Sequence, residues 1–159
     1  MSLIPYCLEQ IDFMSKLETP MTLWFWHQVG GLLIEEFVAV RRTASQGQRL
    51  IDAVIVQGEK KRRLARGAEF DLAGRDVIAV QSKYRRLGMT VAGQTVFSRE
   101  LLKRFKPRSI RSVAVCTADD AVLRPLLEQH KGCEVWVYPA RHAARGAGRR
   151  QLTADRPRD

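Results

Sequence analysis

No run in this sequence approaches the roughly 20 apolar residues that a bilayer-spanning helix requires. The opening "MSLIPYCLEQ" has neither a basic n-region nor a long apolar h-region. The usual marks of membrane and secreted proteins are missing, and a cytoplasmic protein with no membrane partner is the expectation. Cysteine is scarce. Cys7, Cys116 and Cys133 are odd in number, widely spaced and form no CxxC pair. Structural zinc needs four ligands, commonly in close pairs, so no zinc site is expected, and Cys116 and Cys133 read as buried reduced thiols. GxGxxG, GxxxxGK[ST] and GxSxG are all lacking, which removes the anchors of dinucleotide, phosphate-loop and nucleophile-elbow chemistry. His27, His130 and His142 have no acid or nucleophile at motif spacing. His27, set among Trp24, Phe25 and Trp26, reads as a packed side chain, and the three tryptophans (with Trp136) read as core. There is no internal repeat.

Basic charge is abundant. The 159 residues carry 27 Lys plus Arg against 17 Asp plus Glu, a formal balance of +10. Six arginines and two aspartates between Ala140 and Asp159 supply +4 of it, and the rest lies on the body of the chain. Such an excess favours a polyanionic partner, most often nucleic acid. The cluster Lys60, Lys61, Arg62, Arg63 and Arg66, and the pair Arg85 and Arg86, are candidates for phosphate contacts. The length suits one domain over 1–139, followed by a basic tail at 140–159 whose Ala/Arg/Gly composition predicts disorder.

Along the chain, the first twenty residues predict a short amphipathic helix closed by Pro20. A second helix from about Thr22 carries Phe25, Val29, Leu32 and Leu33 at i, i+4, i+7 and i+8, and fades near Glu36 or Phe37. "FVAVRRT" and "RLIDAVIV" read as strands, and a third runs from Val77 to Lys83. A helix stopped by Pro107, the apolar strand "SIRSVAVCT", a helix with Pro125 early in it, and the strand "CEVWVYP" complete the order. The class is α/β, with a mixed central sheet flanked by helices.

Two strands carry polar groups inside apolar sequence. On "RLIDAVIV", Asp52 alternates with Leu50, Val54 and Val56, so its carboxylate shares a face expected to be buried. A buried carboxylate needs a cation, a metal or several hydrogen-bond donors. On "DVIAVQSKYRR", Gln81 and Lys83 are two apart and point to one side. Pairing of the two strands would bring Asp52 to the Gln81/Lys83 pair, either as a metal site or as a buried ion pair with Lys83.

The order helix, three strands, helix, strand, with an acid on the second strand and acid-x-lysine on the third, resembles the PD-(D/E)XK nuclease superfamily, in its restriction endonuclease-like and resolvase-like forms. The resemblance covers about residues 20–138. Asp52 takes the first motif position, preceded by Ile51 where proline is usual; Gln81 and Lys83 take the second, with Gln81 in place of Glu or Asp. It implies a nuclease hydrolysing DNA phosphodiesters with Mg²⁺ or Mn²⁺ as cofactor. Asp52, Gln81 and the backbone carbonyl of Ser82 would hold the metal, and Lys83 would assist the attacking water or stabilise charge on phosphorus. A carboxylate from the first helix often joins such sites, and Glu36 or Glu35 are the candidates: helical spacing favours Glu36, while the relatives' glycine-x-x-x-acid spacing fits Gly31 and Glu35. Gln94, opening the next helix, would face the site and bind phosphate or water. A homodimer that cuts both strands would fit, as would an inactive nucleic-acid-binding or assembly module of the same fold.

Overall fold

A computed structural model describes residues 6–139 and 141–142, with side chains from 16 onward. The C-terminal tail, and with it the expectation of disorder there, lies outside the described residues, as does the Cys7 side chain. The elements run α1 (Tyr6–Val29), β1 (Leu32–Val40), β2 (Arg49–Val56), β3 (Arg62–Arg63), β4 (Asp76–Arg86), α2 (Met89–Leu102), β5 (Ser109–Ala118), α3 (Leu123–Glu128) and β6 (Cys133–Val137). They build an α/β fold around one mixed six-stranded sheet of order β3-β1-β2-β4-β5-β6. β1, β2 and β4 pair antiparallel, whereas β4, β5 and β6 are parallel.

The N-terminal third differs from expectation. Pro20 does not close a helix; it lies inside α1, which continues to Val29. A proline in a helix interior costs about 3 kcal/mol. Burial of Met21 and Phe25 immediately after it, at about 1.5–3 kcal/mol per large apolar side chain, is enough to offset that. The helix stops at the glycine pair. Gly30 (φ 70°) returns its N–H to the Trp26 carbonyl at 2.7 Å, the left-handed turn that ends many helices. Gly31 (φ 89°) packs so close to β2 that an added Cβ would sit 2.5 Å from the Val56 carbonyl oxygen. Leu32 and Leu33 therefore belong to a strand, and Glu35 and Glu36 lie on β1, not on a helix. The apolar spacing that suggested a helix through Leu33 straddles a helix end and a strand buried on both faces.

One face of the sheet packs against α1 through Met21, Phe25 and Trp26, with Leu33, Ala53, Ile55, Ile78 and Val80. The other packs against the end of α2, where Leu102 meets Ile34, Phe37, Ile51, Val54 and Ala79. A smaller cluster of Val91, Ala114, Cys116, Leu127 and Cys133 fills the space under α3. Cys116 and Cys133 are buried and unbonded to each other, as expected. Trp24 and Trp136 are half-buried against the first cluster. His27 is exposed, not packed: its ring lies beside Trp26, and Lys61 Nζ stands 3.1 Å from its Nδ1. Among the described residues no helix is long and apolar enough to cross a membrane.

Candidate active site

β4 is long, and it changes neighbours. Val77 to Val80 pair with β2, from Val56 back to Ala53, and there the pairing ends. Pairing with β5 continues to Lys83. From Gln81 onward β4 therefore leaves β2, and a gap opens at the level of Asp52. A strand edge exposed in this way leaves backbone groups without a ladder partner. Asp52 fills that role, its Oδ2 accepting the Ser82 N–H at 2.8 Å. The carbonyl of an extended residue faces the same lateral way as its N–H, so the Ser82 carbonyl also borders the gap.

The β1–β2 hairpin is irregular at the same level. Ile51 and Ala53 are two residues apart yet pack in opposite clusters, as do Leu33 and Phe37, four apart. Strict alternation would put each pair on one face. The switch on β1 falls at Glu36, which has φ 52° and lies between the registered pairs Glu35–Ala53 and Phe37–Ile51, across from Asp52. Asp52 accordingly does not share a buried face with Leu50, which is 45% exposed. The irregularity turns its carboxylate toward β4.

Gln81 lies on the α2 side, between Asp52 and Ser98. With its amide nitrogen toward Asp52 it donates to Oδ1 and Oδ2 at 3.3 and 3.2 Å while its oxygen accepts from Ser98 Oγ at 2.9 Å. The reverse orientation donates to Ser98 Oγ at 2.9 Å and brings three oxygens together, an arrangement that a cation between them, or a proton on Asp52, would satisfy. On the α1 side, Ser82 Oγ meets Thr22 Oγ1 at 2.9 Å, and Lys83 Nζ lies 3.4 Å from Glu18 Oε1. Glu18, one turn before Thr22 on α1, is the helix carboxylate of this site. Its signal in the sequence is a carboxylate at i, i+4 and i+7 with Thr22 and Phe25, on the stripe that faces the sheet.

Burial pushes the Asp52 carboxyl up from 3.8 to about 6, against the Ser82 N–H and the Lys83 charge, which pull it down; Glu18 and Glu36 add smaller upward pushes. Asp52 is thus a buried carboxylate whose charged form is disfavoured mainly by loss of solvent, with one backbone N–H and a lysine offsetting part of that.

The remaining candidates divide by position. Glu36 stands at the site's level but is exposed and paired with Arg66 at 3.3 Å. Glu35 is 5% exposed and ion-paired with Arg63 of β3. Lys60, Lys61, Arg62 and Arg63 surround the other end of β1, where Arg62 and Arg63 pair with Leu32 and Leu33. Arg85 and Arg86 are exposed just beyond Lys83, Arg86 donating to the Asp119 carbonyl at 2.5 Å. Gln94 is exposed on α2, one turn before Ser98. Among the described residues no three His, Cys, Asp or Glu side chains cluster as a metal site; the oxygens around Asp52 come mostly from an amide and the backbone. No family model, no curated protein and no solved structure matches the chain.

Proposed function

We propose that this protein is a metal-dependent nuclease of the PD-(D/E)XK type that hydrolyses DNA phosphodiesters, with Mg²⁺ or Mn²⁺ as its cofactor. The observation that carries the reading is the buried Asp52 carboxylate in the gap between β2 and β4, held by the Ser82 N–H and flanked by the Gln81 amide, Lys83 and Glu18. The donor set fits a hard divalent ion: such ions take one or two carboxylates and complete their shell with neutral oxygens and water. Asp52, the Gln81 amide oxygen and the Ser82 carbonyl would hold it, with Glu18 within the same charge cluster. When bound, the ion supplies Lewis acidity to the phosphoryl oxygen and lowers the pKa of its water.

The chain's own residues then have distinct tasks. Ser98 serves either orientation of the Gln81 amide, because its hydroxyl can donate to the amide oxygen or accept from the nitrogen, so Gln81 can turn its oxygen toward a cation without losing that bond. The Ser82 N–H holds Asp52 in the gap. Glu18 keeps the Lys83 ammonium beside the site rather than free in solvent. From there Lys83 can orient an attacking water and offset the charge that develops on the phosphorane. Arg85 and Arg86 prolong the basic edge along which a phosphate backbone would lie.

A second reading, an inactive binding module, has one observation in its favour: with the Gln81 nitrogen turned inward, Asp52 is satisfied by an amide and a backbone N–H without any cation. One experiment separates them. Supercoiled plasmid is incubated with the protein and Mg²⁺, Mn²⁺ or EDTA, with Lys83→Ala in parallel. Metal-dependent nicking that disappears in the variant supports the nuclease. No cleavage with either ion, together with salt-sensitive DNA retention, supports the binding module instead.

A further inference from the structure

A cavity of about 690 Å³ opens along the C-terminal half of β1, one strand away from β2 and Asp52, within the size range of small-ligand pockets. Three phenylalanines line it: Phe37 from β1, Phe70 from the segment after β3, and Phe105 from the turn that ends α2. Phe37 and Phe105 meet edge to face at 5.1 Å between ring centres. Arg75 lies over the ring of Phe70 at 5.7 Å and fixes it from outside. At the rim Arg41 is bound to Glu69, while Arg104 has no ion pair among the described residues. The small side chain of Ala68 leaves the space open.

Its place relative to Asp52 decides what it would take. Phe37 registers with Ile51, the residue before Asp52, so the nearest wall of the cavity lies one strand across the sheet from Asp52, about 5 Å, and one residue along it, about 3 Å, while the carboxylate itself faces the far side of β2, toward β4. Both lie on the α2 side, where Gln81 contacts Ser98 and Phe105 packs against Phe37. A strand that crossed β2 and β1 from a phosphate at Asp52 would carry its next nucleotide toward the aromatic walls. Unpaired bases are held by stacking on aromatic rings, and Arg104 is placed for the adjoining phosphate.

We propose that this cavity is a nucleobase pocket that receives one unstacked base of the substrate strand, next to the phosphate presented to Asp52. The proposal rests on the nuclease reading and names the form of its substrate: single-stranded or locally opened nucleic acid, not an undisturbed duplex.

The test is binding of end-labelled short single strands in EDTA, so that cleavage plays no part, read by anisotropy. One strand carries 2-aminopurine in place of a single base, and a second carries an abasic site there. Ala68→Trp fills the cavity, and Arg104→Ala, at an exposed position, guards against a filled variant that fails to fold. The wild type should bind the base-bearing strand about tenfold tighter than the abasic strand at one position of the series, with quenched 2-aminopurine emission; tenfold corresponds to about 1.4 kcal/mol, within the range of base–aromatic stacking. Ala68→Trp should lose that preference and the quenching, and Arg104→Ala should weaken both strands severalfold. Equal affinity for base-bearing and abasic strands at every position would overturn the pocket and leave the nuclease reading intact. Failure to bind any single strand would also overturn the pocket, and the nuclease reading would then stand or fall on metal-dependent nicking of plasmid by the same protein.

Discussion

Lys83 and Glu18, 65 residues apart in sequence, form an ion pair at 3.4 Å that ties the C-terminal half of β4 to α1. It places a carboxylate on the first helix against the lysine of the candidate motif, at a position distinct from both Glu35 and Glu36.

That assignment predicts opposite phenotypes for two glutamates. Glu18→Gln should lower metal-dependent plasmid nicking by about tenfold or more, the size of a transition-state interaction of about 1.4 kcal/mol or more. It should shift stability by no more than about 1 kcal/mol, since the pair it breaks is partly solvated. Glu35→Gln should destabilise by roughly 1–3 kcal/mol, because a buried carboxylate loses its charge-assisted bond to Arg63. Its nicking rate per folded molecule should stay near wild type. Urea melts and a nicking time course on both variants would decide the matter, and equal loss of activity in the two would refute the placement of Glu18.

The raised pKa of Asp52 makes stability depend on pH in a direction unusual for an aspartate. The folded state keeps its proton up to about 6, whereas the unfolded chain releases it near 3.8. Between those values the native state binds more protons, so stability falls as pH rises through about 4–6 and stays lower above it. The ceiling on the loss is about 3 kcal/mol, at about 1.36 kcal/mol per pH unit. Asp52→Asn, which still offers an oxygen to the Ser82 N–H, should flatten this profile and melt higher than wild type at about pH 7.5 in EDTA. Mg²⁺ should raise the melting temperature of the wild type and not that of the variant.

Gln81→Glu should convert a self-satisfied pair into two facing carboxylates. Without a divalent ion, removal of the amide donor and the added like charge should destabilise the protein near neutral pH by about 1–3 kcal/mol. With Mg²⁺ the order should reverse, because a second charged ligand strengthens binding of a hard cation. Thermal melts of both proteins in EDTA and in Mg²⁺ test this, and destabilisation that Mg²⁺ leaves unchanged would argue against a cation at this position.

The basic residues should separate by location. Arg85→Ala should reduce the slope of log affinity against log salt by about one unit for DNA, the change expected when a single phosphate is no longer neutralised by the protein. Lys60→Ala, at the opposite end of β1, should leave the slope unchanged. Equal effects would mean that both edges contact the backbone, and an effect of Lys60→Ala alone would mean that the Lys60 to Arg63 cluster, and not the Lys83 edge, carries it.

Sequence alone singled out Asp52, Gln81 and Lys83 as polar groups in apolar strands, but period two misplaced them: Asp52 does not share a buried face with Leu50, and Gln81 meets Ser98 on the α2 side while Lys83 meets Glu18 on the α1 side. The sequence also indicated the α/β class and the order of β2, β4, β5 and β6, since those strands bury continuous apolar runs, but not the short exposed β3, which lies in a basic segment. Local pattern could not place Glu35 and Glu36: the apolar residues from Phe25 to Leu33 fit a helical stripe equally well whether or not the chain turns at Gly30. Packing decided that turn, because the close approach of Gly31 to Val56 exists only once β1 lies against β2. Tertiary structure alone made the gap at Asp52, the partnership of Glu18 with Lys83, and the aromatic cavity. Each depends on where strands stop pairing or on side chains that meet across long stretches of chain, and such meetings leave no periodicity in the sequence to read.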